Sequence, residues 1–181
     1  MQRLIGALFA VGSVLFLVPG LAALGSSAEA IAWGFALGAV FFTAAAALQL
    51  ATARARLDVL AAAVQLPGTI LFNVNTLDAL DRALDAAQAD VRVWTPDMIG
   101  SACFLVASAV ACHAVGWGWR PRERDWQIAA ANLFGAAAFG VSAIAAYVRP
   151  DDAPLSDTVA NAATAAGAAG FLVGAILLRR S

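Results

Sequence analysis

Apolar residues in this chain fall in six long runs, residues 4–24, 31–52, 57–77, 98–117, 127–148 and 158–178, and the charged residues gather in the breaks between them. A bilayer core of about 30 Å is crossed by roughly 20 helical residues, the length at which each run stops. The pattern predicts an all-α integral membrane protein: six transmembrane helices folded as three antiparallel hairpins, over residues 4–52, 57–117 and 127–178. No break is longer than a loop, so the chain reads as one domain. The longest, residues 78–97, spaces Leu77, Leu80, Leu84 and Val91 for a short amphipathic helix outside the membrane, with Asp78 and Arg82 paired at i, i+4.

Positive loops resist translocation, and arginine placement therefore orients the spans. A cytoplasmic N-terminus puts Arg3, Arg54, Arg56, Arg120, Arg122, Arg124, Arg179 and Arg180 inside and only Arg82, Arg92 and Arg149 outside. Acidic residues run the other way: Glu29, Asp78, Asp81, Asp85, Asp90, Asp97, Asp151, Asp152 and Asp157 outside, Asp58, Glu123 and Asp125 inside. Both termini are then cytoplasmic, as expected for a multi-pass protein of a bacterial inner membrane. Trp33, Trp94, Trp117, Trp119, Trp126 and Tyr147 all fall at run ends, where amphipathic rings sit at headgroup level. The small-residue run at 25–30 offers an alternative, a cleavable leader, which would leave the remaining loops on the same sides.

Each run carries Gly, a small residue, and Phe four positions after the Gly: Gly12 and Phe16, Gly38 and Phe42, Gly68 and Phe72, Gly100 and Phe104, Gly135 and Phe139, Gly167 and Phe171. From Gly68 to Gly135 and from Gly100 to Gly167 the shift is 67 positions, and the same shift aligns Leu66 with Leu133, Val74 with Val141 and Phe104-Leu105-Val106 with Phe171-Leu172-Val173. This indicates a tandem duplication of a helical hairpin, with the first hairpin a shorter-looped copy. Gly and Phe at i and i+4 share a helix face, and a ring can cover the notch left by a neighbour's glycine. In lipid such close approach carries much of helix association, because apolar burial no longer drives it. The alternative for these residues is the lining of a pore or cofactor site.

With Leu71-Phe72-Asn73-Val74-Asn75-Thr76, Asn132-Leu133-Phe134-Gly135 and Val141-Ser142-Ala143-Ile144, the repeat resembles uncharacterised bacterial multi-spanning proteins with YrhK-like domains, from about Leu57 onward. The resemblance implies this architecture and brings no functional residues with it.

Composition agrees and narrows the function. The chain is 62% hydrophobic, 13% charged, and has a mean hydropathy of +0.80, and its net charge of −1 carries no basic footprint for nucleic acid. All 11 basic residues are arginine, which excludes a lysine Schiff base, and the single His113 excludes a bis-histidine haem or a multi-histidine metal site. No cofactor is expected. Cys103 and Cys112, about 13 Å apart along one helix, cannot bridge within it and read as packing residues.

The third run is the most polar. Gln65, Thr69, Asn73 and Thr76 form a stripe, with Asn75 and Asp78 near its outer end. Amides in hydrocarbon must be hydrogen-bonded, so the stripe is either interhelical glue or a hydrophilic site opening outward. Pro67 removes a backbone donor there and can kink the helix. Ser101, Ser108 and Cys112 share one face of the fourth run, with His113 read as an interface residue bonded to backbone; Asn132, Asn161 and Thr164 read as isolated interhelical donors. The acidic outer loop has no EF-hand spacing, and no nucleophile turn, metalloprotease motif or phosphate loop occurs. The expectation is a non-enzymatic binding, sensing or scaffold module, with the bilayer, a second copy or another membrane protein as partner. The other reading is a small transporter or channel whose polar path follows the third helix.

Overall fold

The computed structural model describes residues 1–22, 28–149 and 153–180. Residues 23–27, which include Leu24 and the first half of the small-residue run at 25–30, residues 150–152, with Asp151 and Asp152, and Ser181 lie outside the described residues. The protein is an all-α six-helix membrane protein. Its elements are α1 (Gln2–Ala22), α2 (Ala28–Thr52), α3 (Arg56–Asp78), a short α4 (Ala86–Ala89), α5 (Thr95–Val115), α6 (Arg124–Ala145) and α7 (Asp157–Arg179). A π-helical turn, Asp90–Trp94, joins α4 to α5, so that Ala86–Val115 forms one apolar rod, and among the described residues six rods are long and apolar enough to cross a membrane. The only non-helical pairing among the described residues is a bridge between Val148 and Pro154, in the turn before α7.

Each rod packs on two others: α1 on α2 and α7, α3 on α2 and α5, α6 on α5 and α7. The six therefore close into a ring, the last helix against the first. Small residues make the closing seam: a Cβ on Gly6 would meet the Ala175 carbonyl oxygen at 2.8 Å, and one on Gly20 the Ala165 nitrogen at 3.2 Å. Gln2, Thr52, Asp58, Val115, Asp125 and Leu178 border one cavity, so the starts of α1, α3 and α6 and the ends of α2, α5 and α7 share one end of the bundle. That end also holds Arg54 and Arg124, the latter donating to the Arg180 carbonyl at 2.8 Å.

The Gly-small-x-x-Phe copies meet in pairs. A Cβ on Gly12 would lie 3.1 Å from the Gly38 carbonyl oxygen and 2.7 Å from the Phe42 ring, and one on Gly38 would lie 3.1 Å from the Gly12 oxygen and 2.7 Å from Phe16. Gly68 and Gly100 face each other in the same reciprocal way, as do Gly135 and Gly167, whose notch Phe139 fills. The small residues beside them, Ser13, Ala39, Thr69, Ser101, Ala136 and Ala168, are at most 1% exposed. Backbones can approach this closely only where neither helix carries a Cβ.

Close pairing turns all six phenylalanines onto the bundle axis. Phe16, Phe72 and Phe139, from α1, α3 and α6, form one triangle with ring centroids 6.4, 5.7 and 5.7 Å apart. Phe42, Phe104 and Phe171, from α2, α5 and α7, form a second at 6.1, 5.8 and 5.5 Å. Edges of 5.7, 5.1 and 5.3 Å link the triangles within each helix pair, completing a six-ring prism of tilted and edge-to-face contacts. Because α2, α5 and α7 descend toward the arginine-rich end, their triangle lies on that side.

The segment at 78–97 departs from the amphipathic helix expected of it. Leu80 and Leu84 lie in the turn before α4, Val91 is exposed, and residues from Ala86 on prolong the fourth span. Asp85 caps this start through a reciprocal box with Gln88. Asp78 pairs with Arg92 instead of the expected Arg82: Nε and one terminal nitrogen reach the two carboxylate oxygens at 3.2 and 3.1 Å, with Asp81 at 3.8 Å. The turn at 79–85 reverses the chain and returns Arg92 beside Asp78. Trp94 is less a headgroup anchor than a clasp, donating to the Ala143 carbonyl at 2.9 Å and stacking edge-on against Tyr147.

Candidate functional site

Below the phenylalanine prism the ring encloses a cavity of about 630 Å³, open at the arginine-rich end. It exists because the repeat places smaller or polar residues there. Ten positions before the glycines of α1, α3 and α6 stand Gln2, Asp58 and Asp125, all bordering the mouth. Three positions before them stand Phe9, Gln65 and Asn132, bordering the interior. On the descending helices Ser108 and Ala175 occupy one equivalent level and Gln49, Ala111 and Leu178 the next, and all five border the cavity. Phe171 borders it from the prism side.

Polarity within this vestibule is uneven by design of the sequence: α1 offers Phe9 where α3 and α6 offer amides. Gly174 makes room for the Asn132 side chain, since a Cβ there would lie 2.5 Å from Oδ1. The Ser108 hydroxyl reaches the Asn132 carbonyl at 3.4 Å. Amide and hydroxyl groups both donate and accept, so this surface suits an uncharged polar solute, with Arg54, Asp58 and Asp125 at the mouth.

Of the third-run stripe, only Gln65 borders the cavity. Thr69 is buried and donates to the Leu66 carbonyl at 2.7 Å; Thr76 donates to that of Phe72 at 2.6 Å. Asn73 donates to the Thr43 hydroxyl on α2 and to the Thr69 carbonyl, and its own buried Oδ1 has no partner among the described residues. Asn75 hydrogen-bonds the Asp97 carboxyl on α5, and Asp78 is held in its ion pair. Interhelical glue describes Asn73 and Asn75, Thr69 and Thr76 bond only their own helix, and the polar opening lies at the end of α3 opposite to the outer one expected. A helix turns 100° per residue, which puts Asn73 some 80° round from Gln65, enough to face a different neighbour.

Ser101 and Ser108 bond across to α6, at the carbonyls of Phe139 and Asn132, each at 3.4 Å. His113 is exposed on α5, its carbonyl accepts from Gly116, and its side chain makes no hydrogen bond among the described residues; it is not the side-chain interface residue expected. Thr164 pairs with Ser142 at 2.6 Å, as an interhelical donor should. Asn132 is not such an isolated group: it belongs to the vestibule. Both cysteines are free, and among the described residues no three His, Cys, Asp or Glu side chains are grouped to hold a metal. A second proline, Pro19, lies inside α1 and packs against Gly34 of α2.

Sequence reading missed Asn132, Gln49, Asp58 and Asp125 as site residues. The signal was present, since the 67-position shift that aligns Leu66 with Leu133 also lays Gln65 over Asn132 and Asp58 over Asp125. No family model, curated protein or solved structure matches this chain.

Proposed function

We propose that this chain is a non-enzymatic solute-binding module of the bacterial inner membrane, built of three homologous hairpins of the YrhK-like kind, with both termini in the cytoplasm. It admits a small, uncharged polar molecule to the vestibule from the cytoplasmic side. The supporting observation is the cavity bordered by Gln65, Ser108 and Asn132, of a volume suited to a small ligand and closed at its inner end by six aromatic rings. Eight arginines at the open end against three at the other support the orientation.

Accessibility tests this reading. In a Cys103→Ala/Cys112→Ala background, Gln65→Cys and Asn132→Cys should react with a membrane-impermeant, water-soluble thiosulfonate applied from the cytoplasmic face, and Phe72→Cys should not. Unreactive Gln65→Cys would remove the vestibule from consideration.

Transport is the second reading, favoured by one feature: the vestibule lies on the bundle axis, where a shift of the phenylalanines would complete a path. Proteoliposomes bearing wild type or Gln65→Leu/Asn132→Leu separate the two. Binding alone predicts no solute flux above empty vesicles in either, whereas uptake lost in the double variant would establish transport.

A further inference from the structure

The outer surface of the ring carries a second concavity, independent of the vestibule. It is a groove of about 350 Å³ between α5 and α6, floored by Cys112, Leu133, Phe134 and Ala137 and rimmed by Trp117, Trp119 and Trp126. Gly116, at φ 89°, turns the chain out of α5, a conformation L side chains rarely adopt, and so bends Trp117 and Trp119 back over the groove. Trp119 and Trp126 meet edge to face at 4.9 Å and stiffen this rim. Trp117 and Trp119 are nevertheless 62% and 81% exposed, far more than two aromatic rings in finished packing.

Charge on the same rim identifies what covers them. The Arg120 side chain folds over Gly116, with a terminal nitrogen 3.1 Å from where a Cβ would stand and another donating to the Val115 carbonyl at 3.2 Å. Glu123 approaches it at only 3.5 Å and remains mostly solvated, and Arg122, exposed two residues on, makes no ion pair among the described residues. An apolar slot that runs along a membrane span and ends under indole and guanidinium groups at the headgroup level matches one chemistry: an acyl chain carrying an anionic phosphate.

We propose that this groove is a binding site for an anionic phospholipid, one acyl chain lying along Leu133, Phe134 and Ala137 and its phosphodiester meeting Arg120, with the exposed Arg122 two residues on in the same turn adding to the attraction. The lipid would hold the α5–α6 turn in place beside the mouth of the vestibule without entering it.

The test uses the full-length protein in phosphatidylcholine vesicles, with a small equal mole fraction of brominated phosphatidylglycerol or brominated phosphatidylcholine. Bromine quenches tryptophan on contact. Wild type should be quenched several-fold more efficiently by the anionic lipid, at about fivefold in occupancy for each arginine engaged. Arg120→Gln/Arg122→Gln should bring the two lipids to equality. Ala137→Phe, which fills the groove and leaves every charge in place, should abolish the excess as well, and it separates this site from general attraction to a charged surface. Millimolar inorganic phosphate should leave the excess intact. Equal quenching in wild type, an excess that survives Ala137→Phe, displacement by free phosphate, or a protein–protein contact shielding the groove from both lipids would each overturn the proposal.

Discussion

Gly135 and Gly167 face each other so closely that a Cβ on the first would lie 2.9 Å from the carbonyl oxygen of the second. Backbone cannot retreat as a flexible side chain can, so the contact has no slack. Gly135→Ala should therefore destabilise the detergent-solubilised protein by about 1–3 kcal/mol, read as a lowered Tm. Gly140, five residues on, has nothing within 4 Å of its notional Cβ. Gly140→Ala should be neutral or stabilising by up to about 1 kcal/mol from helix propensity alone. Similar losses at both positions would place the origin of stability elsewhere than in the paired glycines.

Phe104 is 1% exposed and touches three other rings of the prism, those of Phe42, Phe72 and Phe171. Truncating it leaves a void between six helices that the closed ring cannot collapse. Phe104→Ala should cost about 3 kcal/mol, the low end for such truncations because the unfolded helices rest in lipid instead of water. Phe104→Leu should recover most of that. Calorimetry or denaturant titration in the same micelle measures both.

Asp78 and Arg92 form the best-defined ion pair at the end remote from the vestibule, yet their side chains are 28% and 45% exposed. Solvent screening limits such a pair to about 0.5 kcal/mol. Arg92→Gln should barely move the Tm, and the exchange Asp78→Arg/Arg92→Asp should restore what little is lost. A large loss would mean that the turn at 79–85 depends on this contact alone.

Ser142 joins α6 to α7 through the Ala160 carbonyl at 2.9 Å and the Thr164 hydroxyl at 2.6 Å. Interhelical bonds of this kind are worth about 0.6 kcal/mol each on average in membranes. Ser142→Ala should cost about 1 kcal/mol, less than Gly135→Ala in the same pair of helices, because close backbone packing outweighs polar contacts here. The reverse order would make hydrogen bonding the dominant force between α6 and α7.

The helical rods were legible because membrane thickness leaves little choice of length, and Gly-small-x-x-Phe marked the faces that pack. A face does not name its partner, however. Nothing in the spacing of Phe16 or Phe139 tells that their rings meet across the axis, 5.7 Å apart, since that follows from α7 returning to α1. Gln65 stood out for its chemistry, but grouping it with Asn73 ignored the angular drift between them. Asn132 was hidden for the opposite reason: alone it is an ordinary polar residue, and only superposition of the copies gives it a companion. Arg92 escaped because a turn, which periodicity does not register, brings it back to Asp78.

The central claim is six crossings in a closed ring, with the arginine-rich turns together on one side. Single cysteines at Arg54, Ala83 and Arg122, in the Cys103→Ala/Cys112→Ala background and labelled in intact cells with an impermeant maleimide before and after permeabilisation, test it most directly. Ala83→Cys should label at once, and Arg54→Cys and Arg122→Cys only after permeabilisation. Labelling of Arg54→Cys and Arg122→Cys from opposite faces would contradict the fold itself.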